Sequence, residues 1–205
     1  MNTNVKLDLK KDLKHLYGAT ATPALIEVPA ITYLMIDGHG DPNTAPEYAE
    51  AVQALFSVAY TAKFALKKSG GPDIAVMPLQ ALWWVPDMTT FSVTDKSAWD
   101  WTAMIAQPDV VTPDVVDAAR SAAAAKAPAA ALAKLRLETL VEGRAGQVLH
   151  VGPYAAEGPT IERLHAFIAD QGLQLRGKHH EIYLGDPRRT APERLKTIIR
   201  QPVAP

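Results

Sequence analysis

No cysteine occurs in the 205 residues. Disulfides, thiolate metal sites and thiol nucleophiles are thereby excluded. No run of about 20 apolar residues exists that would form a membrane-spanning helix. The opening stretch, MNTNVKLDLKKDLKHLYG, is charged and lacks a hydrophobic segment, so no signal peptide is expected. An excess of one charge is missing too. Lys and Arg number 21 against 22 Asp and Glu, and the basic residues are spread along the chain rather than clustered. That balance offers no footprint for a phosphate backbone, so no nucleic acid is expected as a partner. The phosphate loop, the Gly-x-Ser-x-Gly elbow and the His-Glu-x-x-His helix are all absent, and GHGDPN (Gly38 to Asn43) resembles a glycine-rich loop only superficially. These absences leave a cytoplasmic protein with no membrane contact.

What is present is an ordinary globular composition, 48% hydrophobic and 21% charged. The length suits one well-buried domain or two closely packed halves. Residues 31–37 alternate as a strand and are stopped by Gly38, Gly40, Asp41 and Pro42. Thr44 and Glu47 have capping-box spacing, and Val52, Leu55, Phe56, Ala59, Ala62 and Leu66 recur with helical period up to a stop at Gly70. IAVMPLQALWWVPD reads as two short strands around Pro78, and Ala98 to Ala106 as another. An alanine-rich helical stretch over Ala118 to Ala133 is broken by Pro128 and carries no chemistry. LRLETL then reads as a strand, with Glu142-Gly143 as a hairpin turn into QVLHVG. After that the layout repeats: strand, Gly/Pro loop, helix over Ile161 to Ile168, glycine stop, strand HHEIYL, and a final strand around Thr197 to Ile199.

The expected fold is therefore α+β, built from tandem strand–helix–strand–strand modules with antiparallel sheets. The boundaries are 21–110 for the first module, 111–134 for a helical connector and 135–205 for the second, all within one domain over 1–205. Two antiparallel sheets, each with a helix on one side, would face each other across a cleft, a usual place for a small ligand.

All four tryptophans, Trp83, Trp84, Trp99 and Trp101, fall within twenty residues, and Tyr33, Tyr48, Tyr60, Tyr154 and Tyr183 lie on or near the same elements. Core packing explains large rings in sheets. The functional alternative is a flat-walled site for a planar ligand, in which a carboxylate would bind a cation. Trp83 and Trp84 must point oppositely if their strand is regular. The strand HHEIYL supplies the carboxylate. Ile182 and Leu184 share one face, and Glu181 and Tyr183 the other. A Glu on a sheet face is most often solvated. Here a phenol sits two residues on in a strand that reads as central, and a partly buried Glu with raised proton affinity suits a general base. His179 shares the face of Glu181 and His180 does not. Two ligands are too few for an ion, so no metal site and no cofactor is expected.

Gly152 to Tyr154 (GPY), HEIYLGDPRR at 180–189 and PERLKTIIRQPV at 192–203 closely resemble the GyrI-like small-molecule-binding family. LYGAT at 16–20, YLMIDGHGDPNTAPEYAEAV at 33–52 and WDWTAMIAQP at 99–108 resemble its stand-alone branch, whose members are similar to hydrolases of cyclopropane-containing DNA-alkylating compounds. The resemblance runs from about Leu16 to Val203. It implies a cleft between the two modules, walled by aromatics, with an acidic residue near its centre, which Glu181 matches. It further implies that Glu181 and Tyr183 are catalytic and that Tyr33, Trp83, Trp84, Trp99, Trp101, Gln80, Tyr154, His150 and His179 bind the ligand, a planar or aromatic small molecule. The chain departs from the pattern at PLQALWW, where PLEGLWW is expected. Gln80 there replaces a carboxylate at the place that mirrors Glu181 and lowers the negative charge of the cleft. Three functions follow from the resemblance: hydrolysis of electrophilic xenobiotics, non-catalytic drug binding or sequestration, and a gyrase-inhibitor-like interaction module. The chain would act as a monomer or a dimer.

Overall fold

The structure is a computed structural model that describes residues 6–90 and 95–205. The chain begins with the short strand β1 (Lys6–Leu7) and two single-turn helices, α1 (Leu9–Asp12) and α2 (Lys14–Tyr17). Strands β2 (Ala24–Val28) and β3 (Ile31–His39) lead into the long helix α3 (Pro46–Lys68). Then come β4 (Asp73–Ile74), β5 (Leu79–Trp84), β6 (Asp100–Gln107), α4 (Pro113–Ala123), α5 (Ala129–Lys134) and β7 (Arg136–Leu140). The second half holds β8 (Gly143–Val151), α6 (Gly158–Asp170), β9 (Gln174–Leu175), β10 (His179–Tyr183) and β11 (Lys196–Ala204).

The α+β class and the two strand–helix–strand–strand units, β3-α3-β5-β6 and β8-α6-β10-β11, are present. They do not form two facing sheets. Among the described residues the strands join edge to edge in the order β2-β8-β11-β10-β5-β6-β3-β7, with β9 against the end of β11. The seam is the antiparallel pair β10–β5, where Glu181 lies opposite Ala81 and His179 opposite Trp83. Both units present their second strand at this seam.

Glu142-Gly143 does not make a hairpin. Gly143 adopts φ +68°, as a turn would need, but β7 pairs with β3 while β8 pairs with β11 and β2. The strand preceding each unit is donated to the other unit's edge: β2 goes to β8, and β7 goes to β3. Both exchanges run through two-residue links, 29–30 and 141–142. Each spans three Cα steps, at most about 11 Å. In a flat sheet the joined strands would be six spacings apart, roughly 29 Å. The sheet therefore curls until its two edges meet.

Antiparallel partners share a face, so the register sorts the side chains. Helices α3 and α6 cover the outer face. Adding a Cβ to Gly146 of β8 would bring it within 2.9 Å of Ile168 of α6, and adding one to Gly38 of β3 would bring it within 2.1 Å of the Trp101 ring. The concave inner face holds His180, Arg200, Gln80, Gln147 and Tyr33, plugged by Leu16 and Tyr17 of α2. The expected capping box at Thr44 is not formed. Ala45 occupies the N-cap of α3 without a side-chain bond, and Pro46 starts the helix.

Candidate functional site

On the outer face, between α3 and α6, the seam strands floor a cleft of about 1600 Å³. Glu181 is buried on that floor. Its Oε2 accepts from the Tyr183 hydroxyl at 2.6 Å, and its Oε1 accepts from His179 Nε2 at 3.0 Å. Facing a carboxylate, that His179 nitrogen carries the proton. Trp83 Nε1 donates to the Tyr183 oxygen at 3.1 Å, which fixes the phenol so that its single proton points at Glu181. Burial alone would raise the Glu181 carboxyl. The hydrogen bonds from His179 and Tyr183 outweigh it, and the group is held below the ordinary carboxylate range. The expectation of raised proton affinity at Glu181 is thus corrected: its donors keep it ionised. Burial and the Glu181 charge push the Tyr183 phenol well up, so it stays protonated as a donor.

The raised carboxyl is Glu157, which sequence reading passed over. Residues 154–156 form a single 3₁₀ turn that delivers Glu157 to the start of α6, facing Glu181. Burial pushes Glu157 up to about 9, and the Glu181 charge, with which it shares a hydrogen bond, adds to the shift. The positive end of α6 opposes this, but a helix terminus is worth about 0.3–1 kcal/mol, under one pKa unit. Two carboxylates that share a site repel each other, which raises the proton affinity of one of them, here Glu157. Glu157 Oε1 is buried and has no hydrogen-bond partner among the described residues. At neutral pH the site thus holds one carboxylate and one carboxylic acid side by side, an arrangement that can take up one proton and release another.

The walls are aromatic. Trp83 packs against Trp99 with centroids 5.2 Å apart and against Tyr48 at 5.5 Å, and Tyr154 meets Tyr183 edge-on at 5.5 Å. Lys96 lies over Trp99, 4.9 Å from the ring centroid. Of the residues expected to bind ligand, the structure brings Trp83, Trp99, Tyr154 and His179 to the cleft with Glu181 and Tyr183. It does not bring the others. Tyr33 and Gln80 point to the inner face, where Gln80 bonds His180 at 2.9 Å. Gln80 therefore does not mirror Glu181, and Ala81 lies opposite that residue. Trp84 also points away, with Lys178 3.2 Å from its ring centroid. Trp101 is on the outer face but lies buried beneath α3, edge-on to Tyr48 at 5.0 Å. His150 bonds Thr160 Oγ1 at 3.0 Å and the Pro153 carbonyl at 3.3 Å, so it braces the turn that carries Tyr154 and Glu157 rather than lining the cleft. Tyr48 is a further wall residue that sequence reading left unassigned.

Among the described residues no cluster of three or more His, Asp or Glu side chains could hold a metal ion, and no helix is long and apolar enough to cross a membrane. The profile of the GyrI-like small molecule binding domain matches residues 21–204. A conserved protein from Listeria innocua is 39% identical, over 97% of this chain and 100% of its own, with TM-score 0.89. Two Listeria innocua proteins described as hydrolases are 39% and 38% identical, over 98% and 97% of this chain and 100% of theirs, with TM-scores 0.87 and 0.84. A comparison with curated proteins gives no match.

Proposed function

This chain belongs to the GyrI-like family of small-molecule-binding domains, and from that premise we propose that its cleft hydrolyses planar electrophiles bearing an activated cyclopropane ring. The observation that carries the reading is the carboxyl pair: Glu181 held ionised by Tyr183 and His179, Glu157 held protonated beside it. The two similar Listeria innocua hydrolases favour water as the second reactant.

The roles follow from the protonation states. Water in the cleft attacks the strained methylene carbon while Glu181 removes its proton. The breaking ring C–C bond sends its electron pair into the conjugated carbonyl, whose oxygen takes the Glu157 proton. One water is added, and the single product is the ring-opened molecule, which carries a new alcohol at the attacked carbon and a phenol where the carbonyl was. Glu181, now protonated, returns the proton to Glu157 through their shared hydrogen bond, and the pair is reset. Tyr183 stabilises the carboxylate before transfer, and Trp83, Trp99, Tyr48 and Tyr154 hold the planar substrate over it.

The test is turnover. The protein is incubated with a spirocyclopropane dienone in large molar excess, and ring-opened product is followed by mass spectrometry. Product many-fold above protein is expected, with Glu181→Gln and Glu157→Gln each slower by about 10²–10⁴, the usual worth of a positioned acid or base. Binding without consumption in the wild-type protein would make Glu181 a recognition carboxylate and the protein a non-catalytic binder.

A further inference from the structure

One row of side chains on the outer face crosses three strands: His150 of β8, Thr197 of β11 and Tyr183 of β10. Both ends of the row are tied to the site. Tyr183 donates to Glu181. His150 bonds the Pro153 carbonyl and Thr160, which seats the turn and the start of α6 on this row. The middle of the row, Thr197, is thereby brought beside the Glu157 carboxyl, with which its hydroxyl interacts.

Thr197 is completely buried, and its Oγ1 has no hydrogen-bond partner among the described residues. Glu157 Oε1 is likewise buried and unpartnered. The hydroxyl and the carboxyl are thus within range of each other without closing a bond. A buried hydroxyl in that state is unfavourable, and valine has the same shape without the defect. The arrangement suits a donor whose acceptor arises during the reaction. A protonated carboxyl accepts weakly. A carboxylate accepts strongly, in a bond roughly twice as strong as a neutral one.

That carboxylate forms when Glu157 gives its proton to the substrate. Glu181 has by then taken a proton from water, so the negative charge has moved from one carboxyl to the other. Glu181 has two donors waiting for its charge, Tyr183 and His179. Around Glu157 stand Glu181 and Tyr183 of β10, Tyr154 of the turn and Lys96 of the segment before β6. Glu181 opposes ionisation of Glu157 and Lys96 favours it, while both phenols stay protonated because burial pushes them up.

We infer that Thr197 is a positioning residue for the acid: its hydroxyl stands ready for the carboxylate that Glu157 becomes and stabilises that charge only while it exists. This rests on the reading of Glu157 as the acid and adds the device that lets a buried acid release its proton. An interaction gained only after proton transfer speeds the reaction without tightening substrate binding.

Two variants separate the hydroxyl from the shape of the side chain. Thr197→Val replaces Oγ1 with a methyl group, and Thr197→Ser keeps the hydroxyl. With the spirocyclopropane dienone, Thr197→Val is expected to lower kcat roughly ten- to 150-fold, the worth of a hydrogen bond to a charged group, at unchanged KM. Thr197→Ser should restore most of that loss. Wild-type kcat in the valine variant overturns the inference. So does a serine variant as slow as the valine one, which would make Thr197 a packing residue. In urea at pH 7, Thr197→Val should be at least as stable as wild type, since it loses an unpartnered polar atom. A clear loss of stability would mean that the hydroxyl already has a partner in the resting protein, and overturns the inference too.

A second measurement needs no turnover. The infrared spectrum of wild type minus that of Glu157→Gln isolates the Glu157 carbonyl band. Burial and the Glu181 charge push Glu157 up to about 9, and the Thr197 hydroxyl works against them. The band should therefore fade with a midpoint at about pH 9 in wild type. In Thr197→Val, read against Thr197→Val/Glu157→Gln, the midpoint should lie at clearly higher pH. Equal midpoints overturn the inference. A raised midpoint in a protein that never consumes the dienone upholds the action of Thr197 on Glu157 and refutes the hydrolysis instead, so the two failures give different results.

Discussion

At the residue scale, the site turns on two carboxyl groups with opposite surroundings: Glu181 has two donors, and Glu157 Oε1 has none among the described residues. Glu181 and Tyr183 could be paired from a five-residue strand because alternation puts them on one face. Glu157 could not. It lies 24 residues earlier, in a turn, and meets Glu181 only because α6 folds back over the sheet. Its one local signal is its place three residues after Tyr154, a single turn that puts both side chains at one helix entrance. The missed partner also inverted the protonation assignment, since burial raises a carboxyl only when nothing offsets it, and Glu181 has two donors that do. The consequence is a pH profile. The proposed mechanism needs Glu181 ionised and Glu157 protonated, so kcat/KM is expected to be level through neutrality and to fall as pH passes about 9. Stability should carry the same signature. A raised folded-state pKa contributes stability below the unfolded value, near 4.5, which is lost as pH rises toward about 9. Glu157→Gln has no proton to lose. Its melting temperature should therefore gain on wild type steadily from pH 5 to 9, by at most about 1.4 kcal/mol per pH unit. Parallel curves in that range would remove the basis for calling Glu157 the acid.

At the scale of elements, period and punctuation found most strands and both long helices, because those signals are local. The failure at Glu142-Gly143 was one of pairing. A Glu-Gly turn between alternating strands fits a hairpin, and nothing in the spacing announces that each strand has a better partner across the molecule. Glycines, by contrast, report close approach once their neighbours are known. Gly38 of β3 faces Trp101 of β6 so closely that a Cβ would sit 2.1 Å from the indole. Trp101 is clamped in turn by Tyr48 of α3. Gly38→Ala must therefore push the indole into α3, at a cost of roughly 1–3 kcal/mol as overpacking usually exacts. Because Tyr48 also touches Trp83, the same substitution should weaken ligand binding. Chemical denaturation and the KM of the turnover assay read the two effects, and a variant unchanged in both would mean that the sheet and α3 can part without strain.

At the scale of the whole molecule, the curled sheet has a polar interior that composition could not reveal. Glu142 sits in the two-residue link that carries the chain from one edge of the sheet to the other. There it accepts from His180 Nδ1 at 2.8 Å and from Arg200 Nη1 at 3.2 Å, while Arg200 also holds the Leu16 carbonyl at 2.9 Å. One carboxylate thus ties the link between the edges, the seam strand β10, strand β11 and, through Arg200, the helix that plugs the inner face. Burial raises the Glu142 carboxyl, but His180 and Arg200 lower it further, to about 2. A depressed pKa contributes stability above the unfolded value, near 4.5, and that stability is lost as pH falls through about 2. Removing the charge leaves Arg200 buried without its counter-ion, which typically costs about 3–5 kcal/mol. Glu142→Gln is therefore expected to be much less stable than wild type at pH 7 and to close the gap between pH 4.5 and 2, since wild type alone must protonate this group. Urea unfolding at pH 7, 4 and 3 measures the gap. A gap that stays constant with pH would mean that Glu142 supports the curl by packing and hydrogen bonding alone, and that the ion pair at the centre of the sheet contributes nothing to holding its edges together.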